Sequence, residues 1–186
     1  FVPDTKTTVT DIILPDTIKV IKDSFNKIEF KGVVKLGSEL TEISNSFTYG
    51  SIDGFDLSLC GKLEVIGYDS FKNNDRIQKI DLSSTIVTTI NNRAFSGLKE
   101  LQEIVFPDTI ININSNVCED CINLDNVVLP YGLEKIGMYA FGNFKQEQIE
   151  IPDTVNNIMD NAFSNKTNLK FTGDRQTIRY GTISTT

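Results

Sequence analysis

The sequence repeats itself about every 23 residues, and this period constrains the fold more than any other feature of the chain. Near-copies of one tetrapeptide occupy 14–17, 106–109 and 151–154. An aromatic residue follows two of the copies, Cys118 follows the copy at 106–109, and this position recurs along the chain at spacings of 22 to 24 residues. Because one such unit is too small to bury its own apolar face, neighbouring units must stack on one another. The residues at the recurring position are Phe25, Phe47, Phe71, Phe95, Cys118, Phe141 and Phe163.

Each unit also carries two apolar residues separated by one other residue, which is the signature of a strand with one buried face. A further apolar residue often stands three positions earlier, as in Leu101, Ile104 and Phe106. Proline ends several of these strands, since it has no N–H to donate to a ladder. We therefore predict one short strand per unit. The inward pairs are Ile12/Leu14, Val34/Leu36, Leu57/Leu59, Ile80/Leu82, Ile104/Phe106, Val127/Leu129, Ile149/Ile151 and Leu169/Phe171.

The second half of each unit must turn the chain and return it along the other side of the stack. Residues 132–137 are typical of this return. Short stretches such as 139–141 and 161–163 are then expected to direct the aromatic inward from a helical or irregular segment.

The unit from Cys121 to Phe141 resembles the BspA-like leucine-rich repeat, C-x-x-L-x-x-I-x-L-P-x-x-L-x-x-I-G-x-x-A-F, and the resemblance extends over roughly residues 9–171. It implies an α/β-type solenoid, a right-handed leucine-rich-repeat superhelix. A parallel β-sheet would form its concave face, with short strands, helical turns or irregular segments on the other side. The matching residues are Cys121, Leu124, Val127, Leu129, Pro130, Leu133, Ile136, Gly137, Ala140 and Phe141.

We predict a single domain over residues 1–186, with about eight strand units of 20–24 residues and a terminal cap or tail at 172–186. The early units depart from the family pattern. Gly37 replaces the proline, the units ending at Phe25 and Phe47 are one residue short, and 49–54 breaks the pattern.

Composition excludes several function classes. The net charge of -7 lacks the basic excess needed to neutralise nucleic-acid phosphates. No apolar run reaches the ~18 residues of a membrane-spanning helix, so no membrane insertion is expected. Histidine is absent, which removes Ser-His-Asp catalysis and every His-ligated metal site. We predict no cofactor and no enzymatic activity, and a monomer is favoured although the oligomeric state and the compartment stay open.

Two short motifs suggest a metal site and a modification site. The spacing of Cys118 and Cys121 suggests half a zinc site, but Cys60 is the one further cysteine, so we interpret all three as small buried residues. Asn165 begins an N-glycosylation sequon, which matters only in a secretory pathway.

A docking motif offers an alternative function. Lys27-Ile28-Glu29-Phe30 fits the basic–aliphatic–x–Phe pattern of regulators that bind type-1 protein phosphatase. Such a segment docks by adding to a sheet edge, with Lys27, Ile28 and Phe30 supplying the contacts. The competing interpretation is that Ile28 and Phe30 fill the solenoid core.

Outward strand residues on the concave sheet form the candidate binding surface, because alternation places them on the face opposite the core. Two columns result, mildly acidic overall, in which Val105 and Val128 are predicted to be exposed in adjacent units. An apolar centre with a polar rim is typical of protein-binding patches. The function predicted is therefore a non-enzymatic protein-protein interaction module that binds a protein or extended peptide; a cell-surface adhesion or ligand-binding repeat protein is a second alternative. The predicted contact residues are Lys79, Asp81, Glu103, Val105, Asn126, Val128, Gln148 and Glu150.

Overall fold

The computed structural model describes residues 9–163, 167–173 and 179–180, with the backbone alone for 9–11, 30 and 179–180. The chain forms a parallel β-solenoid in which each unit contributes two strands. The first strand of each unit lies on one face, here called the front face, which is the sheet predicted as concave. Its strands are β1 (Val9–Ile13), β3 (Phe30–Lys35), β5 (Gly54–Asp56), β7 (Lys79–Asp81), β9 (Glu103–Val105), β11 (Asn126–Val128), β13 (Gln148–Ile151) and β15 (Asn168–Phe171).

The second strand of each unit lies on the opposite side, here called the back face. These strands are hydrogen-bonded side by side into one continuous eight-stranded sheet. They are β2 (Val20–Lys22), β4 (Glu42–Ser44), β6 (Val65–Ile66), β8 (Thr89–Ile90), β10 (Asn112–Ile113), β12 (Lys135–Ile136), β14 (Asn157–Ile158) and β16 (Arg179–Tyr180). The prediction of short strands on this side is confirmed.

The α/β label and the helical turns are wrong, since the described residues contain no helix and hence none that could cross a membrane. In every described unit the residue two positions before the aromatic has a positive φ, for example Arg93 at 59° and Tyr139 at 54°. Asn143, two positions after Phe141, has a φ of 63°. A right-handed helix needs negative φ throughout, so these residues replace each expected helix by a tight turn.

The core lies between the two sheets and is built from repeated columns. The aromatic rings stack from unit to unit: Phe47 and Phe71 lie 6.0 Å apart and nearly parallel, and Phe71 and Phe95 lie 5.6 Å apart. The stack is interrupted at Cys118, which is fully buried. The isoleucine of each back strand from β2 to β14 is also buried. They are Ile21, Ile43, Ile66, Ile90, Ile113, Ile136 and Ile158.

One predicted inward pair is wrong. Val34 is in register with Phe55 rather than with Leu57, and Leu59 is 64% exposed. The inward pair of that unit is therefore Phe55 and Leu57. Phe55 packs edge-on against the rings of Phe47 and Phe71, at 5.0 and 4.6 Å. The irregular segment 49–54 thus allows an extra ring to enter the core.

The front face consists of three ladders rather than one. Strands β1, β3 and β5 form the first, β7, β9 and β11 the second, and β13 and β15 the third. The interruption between β11 and β13 lies beside the predicted contact residues and shapes the surface there. The sequon residue Asn165 lies outside the described residues, and so does most of the predicted cap at 172–186.

Candidate functional site

The central front face has the register that the sequence predicts. Along one column, Glu103 is the Cα partner of both Lys79 and Asn126. Along the other, Val105 is the partner of both Asp81 and Val128. Six of the eight predicted contact residues thus stand in two straight columns across β7, β9 and β11.

Hydrogen bonds and ion pairs join the polar residues of this surface into a ladder. Lys79 Nζ lies 3.0 Å from Glu103 Oε2 and 3.5 Å from Asp81 Oδ2. Asn126 Nδ2 donates to Glu103 Oε1 at 2.8 Å. The hydrogen bond with Glu103 raises the pKa of Lys79, and the hydroxyl of Ser83 lowers the pKa of Asp81. Exposed pairs of this kind contribute little to stability, so the ladder defines the charge pattern of this surface rather than what holds the strands together.

The two valines differ in exposure. Val128 is 75% exposed, as predicted, whereas Val105, which is also predicted to be exposed, is only partly exposed. Strand β9 is paired on both sides, and its outward side chains are partly covered by those of β7 and β11. Val128 lies on β11, beside the ladder interruption, and has a paired neighbour on one side only.

A glutamine side chain bridges the interruption between β11 and β13. Val127 N–H donates to Gln146 Oε1 at 2.8 Å, and Gln146 Nε2 donates to Val127 O at 3.3 Å and to Gln148 O at 2.8 Å. The amide therefore takes the place of a peptide group of a neighbouring strand. A buried backbone group left without such a partner would be costly.

An open cleft of about 450 Å³ lies on the front face at this interruption. Val127, Leu129 and Pro152 form its apolar, buried floor. Tyr131, 70% exposed, stands at its rim with the exposed side chains of Gln148 and Glu150. The structure thus brings two further predicted contact residues to the edge of a concave feature.

Sequence reasoning missed both Tyr131 and Gln146, although each departs visibly from the repeat. Tyr131 replaces the aspartate of the Pro-Asp-Thr copies. Gln146 stands three positions before Ile149, where the preceding units carry Leu124, Leu101 and Ile77. A polar residue at a core position signals a local hydrogen-bonding role.

The phosphatase-docking motif does not form a free edge strand. Its last residue, Phe30, begins β3, which is paired with β1 on one side and with β5 on the other. Ile28 is half-buried against the core, and Glu29 forms a parallel bridge with Ser51. Lys27 is exposed in a turn with a φ of 60°. Docking by strand addition would therefore require the pairing of β3 with β1 or β5 to open first. The structure describes only the backbone of Phe30.

The cysteines occupy core positions. Cys60, Cys118 and Cys121 are all buried free thiols, as the structural interpretation predicts. Cys121 Sγ donates to Phe95 O at 3.2 Å. Burial raises the pKa of Cys60 to about 11 and the pKa of Cys118 well above its ordinary value. Within the described residues, no group of three or more His, Cys, Asp or Glu side chains is placed to hold a metal ion.

Comparison with known families identifies the repeat. A family model described as the BspA type leucine-rich repeat region, in six copies, matches residues 5–117 and 88–179. The chain belongs to this family. No curated protein matches the sequence.

Two solved structures are similar to this BspA-type protein. One is a leucine-rich repeat protein from Bacteroides ovatus, with a TM-score of 0.51 and 19% sequence identity. The match covers 88% of this chain and 51% of the Bacteroides chain. A leucine rich cell surface protein from Faecalibacterium prausnitzii gives 0.47 at 18% identity, covering 90% of this chain and 60% of its own. The chain thus spans about half the length of the first of these proteins, and at this identity the first likeness concerns the fold alone.

Proposed function

We propose that this protein is a non-enzymatic interaction module that binds another protein, or an extended peptide of one, through its front face. The observation that carries the proposal is the in-register pair Val105 and Val128 beside the ladder of Lys79, Glu103 and Asn126. The two valines would form an apolar centre, and the ladder would form a polar border beside it. That arrangement is the anatomy of a protein interface.

The shape of the front face supports binding rather than catalysis. The columns lie on an open strand surface, whereas acid–base chemistry gains from a site that excludes water. The acidic side chains of the columns are also engaged, since Glu103 accepts from Asn126 and Glu150 Oε1 lies 2.5 Å from Lys170 Nζ.

Aspartate substitutions at the two valines test the proposal. A partner captured on the wild-type chain from an extract of the parent cells is purified, and its affinity is measured by biolayer interferometry. Val105→Asp combined with Val128→Asp should weaken binding at least about tenfold, since each buries a charge in the apolar centre. The control is Val20→Asp, at an exposed position of the back face. Equal affinity of the double variant and the wild type would rule out this face.

A further inference from the structure

The cleft between β11 and β13 has the composition of a small-ligand site. Its volume of about 450 Å³ falls within the range of ligand pockets, roughly 300–1,000 Å³. The floor is apolar, while the rim offers an amide at Gln148, a hydroxyl at Thr172 and the exposed ring of Tyr131. An apolar base with a few convergent polar groups is what such sites share.

The charges around the cleft favour a neutral ligand. Glu150 is the one ionised side chain among its lining residues, and Lys170 Nζ lies 2.5 Å from it. A hydrogen bond with the Asp153 carboxylate raises the pKa of the Tyr131 phenol, so the shift adds no charge to the cleft. None of the lining residues is basic, so the cleft has no lining cation with which to select a phosphate or carboxylate.

The backbone of the cleft argues against a peptide that adds as a strand. The amide of Gln146 already binds both the N–H and the C=O of Val127, the groups that an incoming strand would need. The remaining recognition groups are side-chain amide, carboxylate and hydroxyl groups. The Gln148 amide can donate and accept. The Glu150 carboxylate can accept, and so can the Thr172 hydroxyl, which donates its own proton to Ile151 O at 3.3 Å. Sugar hydroxyl groups both donate and accept, so they match this set.

We infer that this cleft binds a neutral saccharide, with the apolar face of one sugar ring against Tyr131 and its hydroxyl groups bonded to Gln148, Glu150 and Thr172. Tyr131 suits this role because its ring is large, rigid and accessible, and carries a polar end. Gln146 is a positioning residue whose amide links Val127 of β11 to Gln148 of β13. This ligand is additional to the protein partner of the front face, although the cleft shares Val128 with the apolar pair of that face.

The test is NMR titration of the full chain, labelled with ¹⁵N. The probes are cellotriose, maltotriose, triacetylchitotriose and lactose at millimolar concentration, with trigalacturonate as a charged counterpart. At least one neutral sugar should shift the side-chain amides of Gln146 and Gln148 saturably, and trigalacturonate should not. Absence of shifts with every neutral sugar would overturn the inference, and so would stronger binding of trigalacturonate.

Variants locate the site. Tyr131→Ala should weaken sugar binding about tenfold, and Tyr131→Phe should retain most of it because the stacking surface remains. The matched control is Tyr68→Ala, which removes an exposed tyrosine from another unit and should leave binding unchanged. Unchanged binding in both Tyr131→Ala and Gln148→Ala would overturn the assignment, and Gln148→Ala also decides the matter if the tyrosine variant misfolds.

The saccharide site and the protein interface can fail separately. Val105 belongs to the front-face columns but does not line the cleft, and Tyr131 lines the cleft but belongs to neither column. Val105→Asp should therefore weaken binding of the protein partner and leave sugar binding intact. Loss of sugar binding in Val105→Asp with an undisturbed spectrum would contradict the separate saccharide site.

Discussion

Gly137 tests how closely successive units are packed. A Cβ atom added at this position would lie 2.5 Å from Ser115 N and 2.7 Å from Asn114 O, which belong to the turn of the preceding unit. Both atoms are backbone, so neither can rotate away as a side chain could. Gly137 is not among the residues with positive φ, and the requirement for glycine is therefore one of space rather than of conformation.

The expected cost of Gly137→Ala follows from this geometry. Overpacking a closed site typically costs about 1–3 kcal/mol through shifts of backbone and side chains. Because relief here requires one whole unit to move relative to the next, we expect a loss at the upper end, about 3 kcal/mol. Gly61→Ala is the matched control, since the nearest atom to its added Cβ is Ser84 O at 3.7 Å. That substitution should be neutral or stabilise by roughly 0.4–1 kcal/mol through the unfolded chain.

Urea unfolding followed by far-UV circular dichroism measures both variants under the same conditions. The reasoning holds if Gly137→Ala lowers the unfolding midpoint strongly while Gly61→Ala does not. It would be refuted if the two variants had free energies of unfolding within about 0.5 kcal/mol of each other, which is the usual range for substitutions that disturb no special feature.

Three further perturbations have defined outcomes. Phe71→Ala should lower the free energy of unfolding in urea by about 3–5 kcal/mol, and Phe25→Ala by less, because Phe25 is only half-buried. Lys27→Gly should raise the free energy of unfolding by about 1 kcal/mol, since a lysine at a φ of 60° is strained. Its control, Lys31→Gly within β3, should lower the free energy of unfolding by roughly 0.5–1 kcal/mol. Because the pKa of Cys60 is raised to about 11 in the folded protein, the unfolded thiol ionises first as the pH rises. The free energy of unfolding should therefore be independent of this thiol below pH 9.0 and should fall between pH 9.0 and about 11. Cys60→Ala should reduce that fall, as measured by thermal melts at a series of pH values.

Each of these outcomes has a clear opposite. Equal losses for the two phenylalanine variants would mean that the cost of removing a ring does not follow its burial. A destabilised Lys27→Gly would mean that the turn conformation carries no strain. An unchanged alkaline profile in the cysteine variant would mean that the Cys60 thiol ionises as readily in the folded protein as in the unfolded chain.

The front strands could be predicted because burial imposes a period of two on them. Ile104 and Phe106 point inward wherever the chain pairs in register, and no other arrangement of such a short unit hides both. The same logic failed for Leu59. Apolar residues at 55, 57 and 59 all fit the alternation, and the decision came from Phe55, whose ring reaches two neighbouring aromatic rings. The sequence period within one unit does not show which rings of neighbouring units a residue will contact.

The turns on the back side could not be predicted in detail. The segment around Tyr139 and Phe141 has the composition of a short helix, yet Tyr139 adopts a positive φ that excludes one. Stacking of units, rather than local preference, selects this conformation. Cross-unit hydrogen bonds such as Cys118 N to Ala140 O satisfy the backbone instead.

The candidate surface was predictable in part. The columns through Glu103 and Val128 follow from the register, whereas the cleft depends on the interruption at Gln146. A glutamine at a core position indicates a polar contact but not its partner. Which backbone groups it binds became clear only once β11 and β13 were placed in space.

Site-specific photo-crosslinking shows whether the front face contacts the protein partner. A benzophenone amino acid is placed at position 128, where the native valine is 75% exposed on the front face, or at position 111, where the native isoleucine is 41% exposed directly before the back strand β10. With the purified partner at equal concentration, the account predicts a covalent adduct from position 128 and none from position 111. Adducts from position 111 alone, or equally from both positions, would contradict it.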